Sequence, residues 1–200
     1  MKKVGIIGGT FNPIHIGHLI LAERARDEYE LDEILFVPTG ISHFKDPKIV
    51  IDKKMRISMT GDAIGSNPHF ALSTIETDRP GNSYTSETLE ILKKENPDTE
   101  YYFIIGADSL FQIELWKDPH IIMKDAIILV SVREGQSLDS LKLKADELRA
   151  RYNATINVLK MPYIDISSTE IRERVKKGLS IRYMVDESTL NFIQKNGLYK

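Results

Sequence analysis

Val4-Gly5-Ile6-Ile7-Gly8-Gly9-Thr10-Phe11-Asn12-Pro13-Ile14-His15-Ile16-Gly17-His18 runs from a short apolar segment into two glycines and then into a pair of histidines three residues apart. The apolar run is too short and too β-branched for a helix, and it reads as a buried strand opening into a tight turn. Gly8 and Gly9 permit positive φ and carry no Cβ to hold a phosphate away. Thr10 offers a hydroxyl, and Pro13 stiffens the turn. His18 then falls in the first turn of a helix, whose free N–H groups and positive dipole end favour an anion. The imidazoles of His15 and His18 add two donors that one phosphate group could bridge. The spacing is neither Gly-x-Gly-x-x-Gly nor a P-loop ending in Lys-Ser/Thr, which argues against hydride transfer and P-loop hydrolysis.

Outward from this stretch, short apolar runs alternate with helical patterns. They are Ile34–Val37, Met55–Ile64, Ala71–Ile75, Thr85–Lys94, Tyr101–Ile105, Ala126–Val132, Leu138–Tyr152 and Ile156–Leu159. Such alternation predicts an α/β fold with right-handed crossovers and a mostly parallel sheet covered by helices on both faces. No linker, repeat or low-complexity tract interrupts it, so residues 1–200 read as a single domain. Ligands in such sheets bind beyond the carboxyl ends of the strands where strand order reverses, which is where the motifs after the first and fourth strands should meet.

Two further segments carry chemistry. Ile166-Ser167-Ser168-Thr169-Glu170-Ile171-Arg172 has capping-box spacing, with Ser167 able to bond the N–H of Glu170 and Glu170 able to reach back. Ser168 and Arg172 are four apart on the same helix face, so a hydroxyl, a guanidinium and the helix dipole converge on one anion site. After the fourth strand, Ile104-Ile105-Gly106-Ala107-Asp108 sets a glycine and a carboxylate at the strand end, where Asp108 either accepts from ribose hydroxyls or caps a helix.

The 27 Lys and Arg against 29 Asp and Glu give a net charge of −2, which offers no general attraction to nucleic acid or to an anionic membrane. No cysteine is present, so thiolate nucleophiles, disulfides and cysteine-based zinc sites are excluded. The apolar stretch after Met1-Lys2-Lys3 breaks at Gly8, too early for an export core, and the apolar stretches around Ile121 and Ile127 are broken by Lys124 and Asp125. The expected location is cytoplasmic, with no membrane association and no nucleic-acid partner. Homo-oligomerisation is left open by the helix faces.

Gly-x-Phe-x-Pro-x-His-x-Gly-His at residues 9–18, together with Ser167-Ser168-x-x-x-Arg172, resembles the paired signatures of the nucleotidyltransferase superfamily. Its members join a nucleoside triphosphate to a phosphorylated acceptor and release pyrophosphate. The resemblance implies a Rossmann-like nucleotidyltransferase fold. Ile104-Ile105-Gly106-x-Asp108, Tyr84-Thr85-x-x-Thr88-Leu89, Trp116 and the ending Asn196-Gly197-Leu198-Tyr199 resemble the nicotinate-mononucleotide adenylyltransferase branch, so the likeness spans nearly the whole chain.

On that resemblance, His15, His18, Lys45 and Arg172 are the expected catalytic residues, with no protein ligand set for a metal. ATP and nicotinate mononucleotide are the expected substrates, with Mg2+ travelling on the ATP phosphates. Gly8, Gly9, Thr10, Phe11, Gly17, Ile166, Ser167 and Ser168 would hold ATP and its phosphates, Gly106, Asp108 and Arg133 the nucleotide, and Tyr84, Thr85 and Trp116 the nicotinate ring. Arg56 also resembles a branch arginine. Three positions depart from the branch: Asn12 replaces a common aspartate, Phe44 a histidine that His43 would have to supply, and Lys117 a tyrosine. Other acceptors compatible with the signatures are nicotinamide mononucleotide, phosphopantetheine and flavin mononucleotide. Another class of reading is a regulator that holds ATP without turning it over.

Overall fold

The computed structural model describes residues 1–40, 49–132, 138–162 and 164–200. Strand β1 (Lys2–Gly9) pairs in parallel with β2 (Glu33–Pro38) on one side and with β4 (Thr99–Gly106) on the other. Beyond β2 lies β3 (Phe70–Leu72), and beyond β4 lie β5 (Ile127–Val132) and β6 (Ile156–Lys160). The order β3-β2-β1-β4-β5-β6 is all parallel and reverses between β1 and β4, the doubly wound arrangement expected from the alternation.

Strand side chains alternate between two apolar layers, as the pleat requires. Val4, Ile6, Phe103, Ile105, Ile128 and Val130 face one layer. It is closed by α3 (Thr85–Glu95), α4 (Ala107–Gln112), α5 (Pro119–Asp125) and α6 (Leu138–Tyr152), through residues such as Leu89, Leu110, Ile122 and Leu141. Ile7, Ile34, Phe36, Tyr102, Ile104 and Leu129 face the other. That side is covered by α1 (Ile16–Tyr29), α2 (Lys53–Ile64), α7 (Ser168–Lys176) and α8 (Glu187–Lys195), through Ala22, Met59, Ile171 and Ile193. Among the described residues no helix is long and apolar enough to cross a membrane.

The strand expected over Ala71–Ile75 is shorter and begins one residue earlier. Ladder pairing ends at Leu72, and Thr74 Oγ1 donates to the carboxylate of Asp78 at 2.6 Å while Asp78 N donates to Thr74 O at 2.9 Å. Polar side chains that bond locally offer the backbone a turn in place of a ladder, and that turn carries the chain back over the carboxyl end of the sheet.

Candidate active site

The loop between β1 and α1 departs from expectation in one respect. Neither Gly8 nor Gly9 has positive φ; the left-handed residue is Phe11, at φ 47°. Gly9 is needed for space, because a Cβ there would stand 3.0 Å from the Phe11 ring. Phe11 is buried and meets His18 edge-on at 5.1 Å between ring centroids. His15 caps α1, with its ring stacked on that of His18 at 3.7 Å. The backbone N–H of His15 donates to His18 Nδ1 at 3.2 Å, which leaves Nε2 as the donor of that ring. Between them, a Cβ on Gly17 would lie 3.1 Å from His15 ring atoms, so a larger residue there would push the ring from its place.

The start of α7 docks on this loop from the far end of the chain. Ser168 Oγ donates to Pro13 O and Arg172 Nη1 to Asn12 O, each at 2.8 Å. Ser167 Oγ accepts from Glu170 N at 3.1 Å. The return bond of a capping box, from Ser167 N–H to the Glu170 side chain, is not made among the described residues. Two helix N-termini, α1 and α7, therefore open onto one cleft of about 610 Å³. Thr10, Phe11, His15, Gly17 and His18 form one wall of it; Ile166, Ser167, Ser168 and Arg172 form the opposite one. Two helix starts with their positive dipole ends, two imidazoles and a guanidinium converging on one space suit a polyphosphate.

Arg56 is 2% exposed and does not face this cleft. Its guanidinium donates to four backbone carbonyls: Thr10 at 2.8 Å, Thr39 at 2.8 Å, Gly40 at 3.3 Å and Ile51 at 3.4 Å. Burial away from water lowers its pKa, against the opposing pull of Tyr199 and Asp52. It therefore ties the end of β2 to the loop after β1.

A second cavity, of about 380 Å³, lies on the other side of β1, with Gly8 in its wall beside Tyr84, Thr85, Trp116 and Lys117. Thr85 opens α3, so the helix start faces this space, and Trp116 packs edge-on to Phe103 at 6.2 Å. Lys117 Nζ sits 4.5 Å above the Tyr84 ring and 2.5 Å from a carboxylate oxygen of Glu87. That hydrogen bond holds its ammonium pKa up. Glu76, 7% exposed, also lines this cavity and accepts from Thr88 Oγ1 at 3.0 Å. Burial raises its carboxyl pKa, opposed by the bonds from Thr88 and Ser83 and by the charge of Arg79. Ser83 Oγ accepts from Gly40 N at 3.1 Å, and a Cβ on Gly40 would approach Glu76 O to 2.7 Å, so the end of β2 is clamped against this network.

The structure thus gathers the expected residues into two adjoining spaces, one polar and cationic, the other walled by aromatic rings. Gly9, Gly106 and Asp108 do not join them, and Gly8, expected beside the ATP phosphates, lines the second cavity instead. Gly106 caps α4 without help from a side chain, Asp108 stands in the first turn, and both are exposed and line neither cavity. Lys45 and Arg133, with His43 and Phe44, lie outside the described residues. Glu76 escaped the sequence reading because a lone glutamate in a polar stretch reads as solvated. The packing role of Arg56 escaped it because a helical arginine does too.

Among known proteins, the model of the cytidylyltransferase-like family matches residues 6–174. A relative in Lachnoclostridium phytofermentans, named a probable nicotinate-nucleotide adenylyltransferase, is 47% identical over 199 residues, covering 100% of each chain. One of the same name in Clostridium tetani is 40% identical over 200 residues, again covering 100% of each. Among solved structures, Plasmodium falciparum nicotinic acid mononucleotide adenylyltransferase complexed with NaAD superimposes with a TM-score of 0.82 at 20% identity, covering 100% of this chain and 98% of that one. The same protein complexed with APC gives 0.80.

Proposed function

The chain belongs to the cytidylyltransferase-like family, and from that premise we infer that it is a nicotinate-nucleotide adenylyltransferase acting in NAD biosynthesis. It transfers the adenylyl group of ATP to nicotinate mononucleotide, giving nicotinate adenine dinucleotide and pyrophosphate. The observation that carries this reading is the pair of adjoining cavities on either side of the end of β1. One is lined by His15, His18, Ser168 and Arg172, and the other by Trp116 and Thr85. A triphosphate and a pyridine mononucleotide lying in them would meet across the β1 turn.

The chemistry is an in-line displacement. An oxygen of the acceptor 5′-phosphate bonds to the α-phosphorus of ATP as the bond from that phosphorus to the bridging oxygen of the β-phosphate breaks, and the electron pair leaves on pyrophosphate. The attacking oxygen is already anionic, so no base and no covalent enzyme intermediate are required. What the protein must supply is alignment of two anions and neutralisation of the charge that grows on the α-phosphate and the leaving group. His18 is assigned to donate through Nε2, since Nδ1 is occupied by His15 N–H. Arg172 and the α7 start take the distal phosphates, and His15 the α-phosphate with His18. Lys45 and Arg133 are assigned further phosphate and nucleotide contacts on the family resemblance alone. The substrate is MgATP, with the ion held by phosphate oxygens and water, where it neutralises charge. Among the described residues no group of three His, Asp or Glu side chains is placed to hold a metal.

In the second cavity, stacking on Trp116 and N–H groups at the α3 start suit a ring bearing a carboxylate, which favours the acid over the amide. We assign residues 1–200 to one domain acting in the cytoplasm. Pyrophosphate release with MgATP and each of nicotinate mononucleotide, nicotinamide mononucleotide, phosphopantetheine and flavin mononucleotide tests the reading. Turnover is expected with the first alone, and preference for another acceptor would overturn the acceptor assignment.

A further inference from the structure

Asn12 is 4% exposed and its side-chain amide is committed in both directions. Its Nδ2 donates to Ile49 O at 3.0 Å, and its Oδ1 accepts from Tyr199 OH at 3.0 Å and from Ile51 N at 3.4 Å. Its backbone carbonyl is the acceptor for Arg172 Nη1. Asn12 thus joins the loop after β1 to the Ile49–Ile51 segment and the segment beyond α8 through its side-chain amide, and to the start of α7 through its backbone carbonyl. Asn12 and Ile49 both line the first cavity, and neither lines the second. Tyr199 lines neither.

We propose that Tyr199 is a positioning residue for the triphosphate cavity, acting through Asn12. The Ile51 N–H and the Ile49 carbonyl decide which way the amide faces, and the Tyr199 hydroxyl, donating to the same Oδ1, braces it in that orientation. That orientation sets the loop height at which Asn12 O meets Arg172 and at which His15 and His18 begin α1. Burial raises the pKa of the Tyr199 hydroxyl, against the opposing pull of Arg172 and Arg56, so it remains a donor. An aspartate at position 12 would turn an oxygen toward Ile49 O and lose the bond that Nδ2 makes there.

This inference rests on assigning the first cavity to ATP. The test is steady-state pyrophosphate release together with direct titration by MgATP in the absence of acceptor. The proteins compared are the full chain, Tyr199→Phe, Asn12→Ala and the double variant. Tyr199→Phe keeps the ring and removes one hydrogen bond. The expected result is a KM and Kd for ATP raised about three- to tenfold, in the range of one neutral hydrogen bond, with the KM for nicotinate mononucleotide changed less than twofold. In the Asn12→Ala background the same change should add nothing. An unchanged ATP affinity in Tyr199→Phe, equal rises in both KM values, or additive effects in the double variant would each overturn the positioning role. Unmodified protein that binds no MgATP would overturn the cavity assignment and this inference with it.

Discussion

His15 holds His18 in place: its ring stacks on the His18 ring at 3.7 Å and its backbone N–H donates to His18 Nδ1 at 3.2 Å. With Nδ1 accepting from His15 N–H, Nε2 of His18 is the nitrogen that carries the proton and can donate to a phosphate. Removing one such preorganised donor costs roughly 100- to 1000-fold in turnover. His18→Ala should fall by that amount in pyrophosphate release while its thermal midpoint stays within about 3 °C, since a partly exposed ring supports little of the core. Turnover near that of the unmodified chain would sink the assignment.

Trp116 faces the second cavity only. Stacking of a planar heterocycle on an aromatic side chain is worth about 1–3 kcal/mol. Trp116→Ala is therefore expected to raise the KM for nicotinate mononucleotide roughly tenfold and to leave that for ATP within twofold. A rise shared equally by both substrates would show that the indole is a wall of the core instead.

Arg56 makes four bonds to carbonyls from inside the protein. Arg56→Met leaves those acceptors without their donor, and each buried unsatisfied group carries a penalty of about 1–3 kcal/mol, partly relieved by relaxation. A loss of about 2–4 kcal/mol in urea unfolding is expected. Arg56→Lys should rescue little of it, because an ammonium lacks the planar fork that reaches Thr10, Thr39 and Ile51 together.

Glu76 carries a carboxyl whose pKa burial raises above the ordinary value of 4.5. The folded protein then holds a proton that the unfolded chain has released, so this group's contribution to stability is fully present below about 4.5 and is lost as the pH rises through the raised value. Glu76→Gln keeps an acceptor for Thr88 and cannot ionise. Its stability relative to the unmodified chain should grow from acid toward neutral pH, a trend that thermal unfolding at stepped pH would read. A difference independent of pH would show that the carboxylate is charged at no cost.

How far the sequence carried this picture depends on the distance over which each residue's partners lie. The β1 turn and the α1 start were legible because Gly9, Gly17, His15 and His18 serve one another within ten residues. The capping serine at 167 and the helix face shared by Ser168 and Arg172 were legible for the same reason. The left-handed conformation was assigned to the glycines and belongs to Phe11, since what decides it is the ring's burial against His18 and Phe36, a tertiary fact. Arg56, Glu76 and the Asn12 amide take their meaning from Thr10, Thr88 and Tyr199, which lie 46, 12 and 187 residues away. No local pattern marks them. Asp108 shows the converse: its motif was plain, yet the carboxylate stands outside both cavities.

The bonds from Ser168 to Pro13 and from Arg172 to Asn12 span 155 and 160 residues. Contacts of such separation are costly to close early in folding. The pairing of β1 with β2 can form early, from segments close in the chain, but the Ser167–Arg172 side of the first cavity arrives only when α7 does. A nascent or truncated chain without α7 would hold His15 and His18 at the start of α1 with nothing across from them, and if the first cavity takes the nucleotide, its binding reports that the two ends of the sequence have met.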